Sequence, residues 1–239
     1  MKILVTGHKG YIGTCLVPQL LDRDHEVHGL DSDIFEACTF AGSLADIPEF
    51  ACDVRDATAD MLGGFDAIVH LAGLSNDPLG DYDPELTKEI NQDASVRLAE
   101  LAKSAGVKRF LFASSCSNYG AAGEDFLNED AAFNPVTPYG QSKVAVEAAV
   151  GPMADETFSP TFLRASTAYG LSPRIRFDLV LNNLTAWAHT TGEVLLKSDG
   201  SPWRPIVHVE DIARAYVAAV EAPRDLVHGE AFNVGITSE

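Results

Sequence analysis

The sequence predicts an alternating α/β fold built on a parallel sheet. Three observations carry that prediction. Short apolar runs rich in Val, Ile and Phe alternate with longer stretches of helical spacing, the pattern of βαβ units. A Gly-x-x-Gly-x-x-Gly stretch at residues 7–13 joins the first apolar run to the first helical one. The 239 residues, 46% of them hydrophobic, suffice to bury a full core as one domain or one and a half.

Strands are predicted over residues 2–6, 26–30, 49–52, 67–71, 109–113, 161–164, 206–208 and 231–234. Helices are predicted over 11–22, 84–105, 138–150, 178–190 and 209–221. Pro84 suits the first position of a helix, and Gly151-Pro152 stops the helix before it. The βαβ rhythm loosens after about Gly170, where Pro and Arg cluster at 172–176. This divides the chain into a cofactor-binding part, 1–170, and a substrate-binding segment, 171–239. Strand 206–208 and helix 209–221 are expected to pack back onto the first part.

Composition excludes several function classes. A net charge of −18 gives no attraction for a phosphate backbone, so no nucleic-acid partner is expected. An anionic ligand would then need local positive groups, for which Lys143, Arg164, Arg174, Arg176 and Arg204 are candidates. Cys15, Cys38, Cys52 and Cys116 show no Cys-x-x-Cys pair, and no histidines stand at ligand spacing. That predicts no metal and no disulfide framework, and fits a cytoplasmic protein. No apolar run approaches the ~20 residues needed to cross a bilayer.

The glycine stretch, Thr6-Gly7-His8-Lys9-Gly10-Tyr11-Ile12-Gly13, lies between a strand and a helix, where it forms a phosphate cradle. Gly7, Gly10, Tyr11, Ile12 and Gly13 are therefore assigned to a dinucleotide, on a doubly wound, Rossmann-type sheet. Asp31 ends the second strand, where an acid binds the adenosine ribose 2′-hydroxyl and repels a 2′-phosphate, so NAD is the expected cofactor. Asp33 is near enough to share that role. Asp53 follows the third strand and suits either the adenine amino group or a plain loop. Tyr139 and Lys143 stand four residues apart, on one face of a helix. A cation beside a phenol favours phenolate, and a phenol so tuned can take a proton from an alcohol while a cofactor takes the hydride.

With these residues the chain resembles the extended short-chain dehydrogenase/reductase superfamily, the NAD-dependent epimerase/dehydratase family in particular. The motifs run in order along nearly the whole chain: the glycine stretch, Cys52-Asp53-Val54-Arg55-Asp56, Val69-His70-Leu71-Ala72-Gly73, Asn91, Phe112-Ala113-Ser114-Ser115-Cys116-Ser117-Asn118-Tyr119-Gly120, Tyr139-Gly140-Gln141-Ser142-Lys143, Leu163-Arg164 and Phe232-Asn233-Val234-Gly235. The resemblance implies Tyr139 as general acid/base, Lys143 as its tuner and a ligand of the nicotinamide ribose, and Ser115 as the serine that holds the reacting oxygen. It implies adenine contacts at Asp53 and Val54. Leu71, Ala72 and Gly73 would line the pyrophosphate and ribose, and Asn91 would hold the middle of a long helix. It also implies a homodimer formed through the helices carrying Asn91 and Tyr139.

Dehydratases of the family carry Asp-Glu directly after the serine or threonine. Here Cys116 and Ser117 stand there, which points away from water elimination. Some family epimerases use a cysteine one residue later, so Cys116 reads as a small buried residue. What remains is oxidation, turnover of the keto sugar and re-reduction, the work of a nucleotide-sugar 4-epimerase on a UDP- or TDP-hexose. The same residues would serve a net dehydrogenase or ketoreductase on a sugar nucleotide or small alcohol. A cofactor-binding sensor without turnover is the alternative from another class. On the substrate side the resemblance places Arg204 at the diphosphate, and Ser75 where galactose epimerases commonly carry lysine. Arg174, Arg176, Asn182 and Asn183 are candidates for the nucleotide or sugar and equally for plain surface, while Trp187 and Trp203 suit packing. Family members continue past Gly235, which predicts a small, incomplete C-terminal substrate lobe.

Overall fold

The computed structural model describes residues 1–40, 42–75, 82–120, 126–196, 198–200 and 204–235. Its strands are β1 (Lys2–Thr6), β2 (Glu26–Asp31), β3 (Glu49–Ala51), β4 (Ala67–His70), β5 (Arg109–Ser115), β6 (Ser159–Ala165), β7 (Thr167–Tyr169), β8 (Ile206–His208) and β9 (Ala231–Val234). Seven of them form one all-parallel sheet in the order β3-β2-β1-β4-β5-β6-β9. The strand order reverses between β1 and β4. Beyond the carboxyl ends of the strands at that point lies the crevice where open α/β sheets bind ligands.

Alternation along each strand sends successive residues to opposite faces. Leu4, Ile68 and Phe110 stand in register on one face, while Val5, Val69 and Leu111 stand in register on the other. The helices are α1 (Gly13–Leu21), α2 (Ala59–Leu62), α3 (Pro84–Lys88), α4 (Ala94–Ser104), α5 (Pro138–Val150), α6 (Val180–Thr191), α7 (Val209–Glu221) and α8 (Arg224–Val227). The first face is covered by Leu98 of α4 and by Val146 and Val150 of α5. The second is covered by Leu16 and Leu20 of α1 and by Ile212, Tyr216 and Val220 of α7, spaced four apart on one stripe. Phe110 is fully buried, so Phe110→Ala is expected to cost about 3–5 kcal/mol.

Several boundaries differ from the sequence reading. β5 runs two residues further than expected, to Ser115, because β6 pairs with it over seven consecutive registers. α1 opens at Gly13 rather than Tyr11, since Tyr11 belongs to the turn and Ile12 is the N-cap. The helix expected over 84–105 carries a π-helical turn, Glu89–Asp93, between α3 and α4. Strand β8 does not join the main sheet. It pairs with β7, a strand absent from the sequence reading, in a separate two-stranded ribbon. α7 covers the sheet beside α1 and β9 forms its edge, so Val209–Glu221 and Ala231–Val234 pack with the strands and helices of residues 1–170. Among the described residues no helix is long and apolar enough to cross a membrane, and no cluster of His, Cys, Asp or Glu is gathered to hold a metal.

Candidate active site

The chain turns between β1 and α1 on closely packed glycines. Gly7 has φ +73°, and a Cβ there would stand 2.7 Å from the Ala72 amide nitrogen at the end of β4. A Cβ on Gly13 would overlap the carbonyl oxygen of Gly7. The first turn of α1 has neither a capping side chain nor an acid, so its positive end is left for an anion, while its Thr14, Cys15 and Leu16 N–H groups donate to the Gly10 and Ile12 carbonyls. These features fit a dinucleotide pyrophosphate. Tyr11 is buried, and its hydroxyl donates to the Gly170 carbonyl at 2.8 Å.

Asp31 stands at the carboxyl end of β2, against the glycine turn. One carboxylate oxygen accepts from the Lys9 backbone N–H at 2.9 Å and the other from the Asp33 N–H at 2.8 Å. Asp33 is paired instead with side-chain cations, Lys9 at 3.1 Å and Arg174 at 2.9 Å. Arg174, a sequence candidate for the nucleotide or sugar and equally for plain surface, therefore lies by the second strand. Asp53 caps a short 3₁₀ turn, and Arg55 engages both of its oxygens, holding the carboxyl below the ordinary carboxylate range. Val54 beside it is buried in the core.

Between β4 and the π turn the structure gathers a chain of buried polar groups. Asn91 is fully buried in the π turn, where its side chain accepts from the Leu74 N–H at 2.7 Å and donates to the Leu74 carbonyl at 2.8 Å. This clamps residues 71–75. Single π turns inside α-helices recur at functional sites because they re-aim a side chain. Gly73 lies where this clamp meets Lys143: a Cβ there would be 2.9 Å from Asn91 Oδ1 and 4.0 Å from Lys143 Nζ. His70 sits below. The Ser95 hydroxyl donates to the Asn91 carbonyl at 2.7 Å, which assigns His70 Nε2–H as donor to Ser95 Oγ at 2.8 Å and Nδ1 as acceptor from Thr6 Oγ1 at 2.6 Å. Burial, reinforced by the Lys143 charge, pushes the His70 pKa down to about 3. Sequence reading quoted His70 within a motif and gave it no role.

Ser115, the last residue of β5, caps the 3₁₀ turn Cys116–Tyr119 by accepting from the Ser117 N–H at 3.1 Å. Gly140 of α5 leans on this turn, since a Cβ there would lie 3.0 Å from the Ser117 carbonyl oxygen. Thr137 caps α5 through the Gly140 N–H, with Pro138 in the first helical turn. Tyr139, half-buried in that turn, is thus set beside the turn that Ser115 opens. Lys143 follows one turn later, with Nζ 5.5 Å from the Tyr139 ring centre and 4.6 Å from that of Phe112. Lys143 is buried, and burial lowers its pKa to about 8.

One turn beyond Lys143, Glu147 forms a buried, two-pronged pair with Arg164, at 2.7 Å and 3.0 Å. Ser114 also donates to Glu147, as does Asn118 at 3.0 Å. Arg164 donates further to the Tyr119 hydroxyl at 2.8 Å, and that hydroxyl donates to Asn233 at 2.8 Å. Arg164, a sequence candidate for an anionic ligand, is therefore committed to Glu147 and Tyr119. It ties the Ser115 turn to α5 and β9. The Cys116 thiol donates to the Arg164 carbonyl at 3.2 Å, and burial raises its pKa.

Arg176 and Ser75, both expected on the substrate side, come together, with guanidinium donors at 2.8 Å and 3.0 Å from the serine hydroxyl and carbonyl oxygens. Asn182 accepts from the Gly170 N–H at 2.9 Å and donates to the Arg176 carbonyl at 3.0 Å, and Asn183 donates to the Phe177 carbonyl at 2.9 Å. Both asparagines brace residues 170–177. That segment crosses the glycine turn, where Ser172 bonds Thr14 at 2.7 Å and the Tyr11 carbonyl at 2.9 Å. Arg204 is exposed, and Trp203 lies outside the described residues.

Comparison with known proteins gives the family of this chain. The profile of the NAD dependent epimerase/dehydratase family matches residues 3–235. A UDP-glucose 4-epimerase of Corynebacterium glutamicum is 28% identical over 98% of this chain and 75% of its own length. MoeE5, solved in complex with UDP-glucuronic acid and NAD, superposes with a TM-score of 0.87 at 30% identity, covering 100% of this chain and 77% of its own. TunA, an NAD-dependent NDP-hexosamine 5,6-dehydratase involved in tunicamycin biosynthesis, superposes with a TM-score of 0.89 at 25% identity, covering 100% and 77%.

Proposed function

Because this chain belongs to the NAD-dependent epimerase/dehydratase family, we propose that it is an NAD-dependent 4-epimerase of a nucleotide-activated hexose, of the UDP or TDP class. NAD, held by the glycine turn and Asp31, would supply the site with a hydride acceptor and donor. The residues of this chain do the rest. Tyr139 takes the proton of the sugar hydroxyl and later gives it back, Ser115 holds the reacting oxygen, and the Lys143 charge favours the phenolate. Asn91 and Gly73 fix the loop against which Lys143 is set.

One observation favours epimerisation over elimination: neither position after Ser115 carries a carboxylate. Cys116 is engaged with the Arg164 carbonyl, and Glu147, packed against Ser114 and Asn118, is held by Arg164. Neither is free to move a proton at a sugar carbon. The nucleotide class is supported by the relatives, among them the C. glutamicum UDP-glucose 4-epimerase and MoeE5 with its UDP-glucuronic acid. The test is interconversion of UDP-glucose and UDP-galactose, or the TDP pair, by purified protein without added cofactor, with NAD released on denaturation. Formation of a dehydrated 4-keto-6-deoxy sugar would refute it.

A further inference from the structure

The cradle carries a second set of charges that the proposed reaction does not use. Lys9 and Asp33, whose backbone N–H groups both donate to Asp31, line a cavity of about 380 Å³ with His8, Glu49 and Arg174. If Asp31 meets the adenosine ribose, this cavity opens beside the 2′ position. Two cations reach it, and both are held. Asp33 takes Lys9 through one oxygen at 3.1 Å and Arg174 through the other at 2.9 Å. Glu49 takes Lys9 again, and His8 as well, each at 2.9 Å.

Two of these groups are left incomplete. Arg174 Nε and His8 Nδ1 are buried without a hydrogen-bond partner, on residues only 6% and 5% exposed. A buried donor without a partner calls for a physical reason. Here Asp33 reaches one arm of the Arg174 fork and leaves Nε unmet. Asp33 itself has φ +50°, a left-handed backbone that aspartate and asparagine tolerate better than most residues.

We infer that Asp33 is a specificity-determining residue that closes this cavity to a 2′-phosphate by holding Lys9 and Arg174 in a charge lock. On the dinucleotide reading two cations stand beside the ribose 2′ position, yet the carboxylates of Asp33, Glu36, Asp46 and Glu49 that line the same cavity leave no net attraction. Removing the Asp33 charge releases the arginine fork, a group that suits a phosphate, and leaves Lys9 held by Glu49 alone. The inference rests on the dinucleotide reading of the glycine turn and is independent of the sugar reaction.

The test is calorimetric titration of cofactor-free protein with NAD, NADP and 2′,5′-ADP. Asp33→Asn keeps the side-chain size and tolerates the backbone. It should lower the ratio of the NADP to the NAD dissociation constant by roughly ten- to a hundredfold, as one charge-assisted hydrogen bond would, and give measurable 2′,5′-ADP binding. Adding Arg174→Met should reverse most of that gain. An unchanged ratio in Asp33→Asn overturns the lock, as does a gain that survives Arg174→Met. Asp33→Gly, which removes the carboxylate and suits the left-handed backbone, serves if Asp33→Asn fails to fold; a ratio that does not fall there also overturns the lock. Wild-type protein that binds neither dinucleotide would overturn the cofactor reading, and the lock with it.

Discussion

Lys143→Met should make the cofactor-free protein more stable at neutral pH while abolishing its turnover. Burial lowers the Lys143 pKa from 10.5 to about 8, so the fold holds the ammonium less favourably than water does. At about 1.36 kcal/mol per pH unit, keeping it protonated at pH 7 costs on the order of 3 kcal/mol. The Phe112 ring, 4.6 Å away, offsets part of this, by about 0.5–2 kcal/mol for a cation over an aromatic face. Methionine has nearly the same volume and no charge, so the net gain should be about 1–3 kcal/mol. For a chain of this size that raises Tm by roughly 3–8 °C. The sign has a pH signature. Between about 8 and 10.5 the unfolded chain binds more protons at this site than the folded one, so wild-type stability recovers with rising pH. Calorimetry at pH 7, 9 and 10.5 should show the two proteins converging as the pH rises. A variant that is less stable at pH 7, or a gap that does not change with pH, would refute the reasoning.

Three further outcomes are expected. Tyr139→Phe should cut epimerisation by about 10²–10⁴-fold with little change in NAD affinity by titration, and turnover equal to wild type would contradict the assigned role. His70 is held neutral, with its pKa at about 3 against 6.5 when unfolded, so its contribution is full above pH 6.5 and is lost as the pH falls toward 3. His70→Gln should flatten the fall of urea-measured stability between pH 6.5 and 4 by up to about 1 kcal/mol per pH unit, and parallel slopes would count against this. Glu147→Gln leaves Arg164 without its counter-charge and should cost about 3–5 kcal/mol in urea unfolding, with Arg164→Met recovering part of the loss; a cost under about 1 kcal/mol would show that the pair does not bind the site together.

What was legible in the sequence is what local pattern encodes. The short apolar runs of the strands carrying Val5, Val69 and Phe110, the four-residue spacing of Ile212, Tyr216 and Val220, and the glycine turn each announce themselves within a dozen residues. What was not legible depends on partners far along the chain. Strand β7 is three half-buried residues with no alternation to read, and it exists because β8 arrives to pair with it. Arg174 read equally as a ligand of the nucleotide or sugar and as plain surface, because nothing local ties it to Asp33, 141 residues earlier. Without the resemblance Asn91 is one more polar helix residue, and it is the π turn that points it at Leu74. Glu147 lies four residues beyond Lys143 on the same face, and that spacing was the one available hint that the helix carries a second charged anchor.

The central claim is that hydride leaves the sugar and returns to the same carbon, with no net redox and no proton taken from carbon. Wild-type protein given UDP-glucose or TDP-glucose deuterated at C4 should yield the 4-epimer with the label retained, and absorbance at 340 nm should end where it began. Loss of the label to solvent, or reduced cofactor accumulating in step with product, would contradict it.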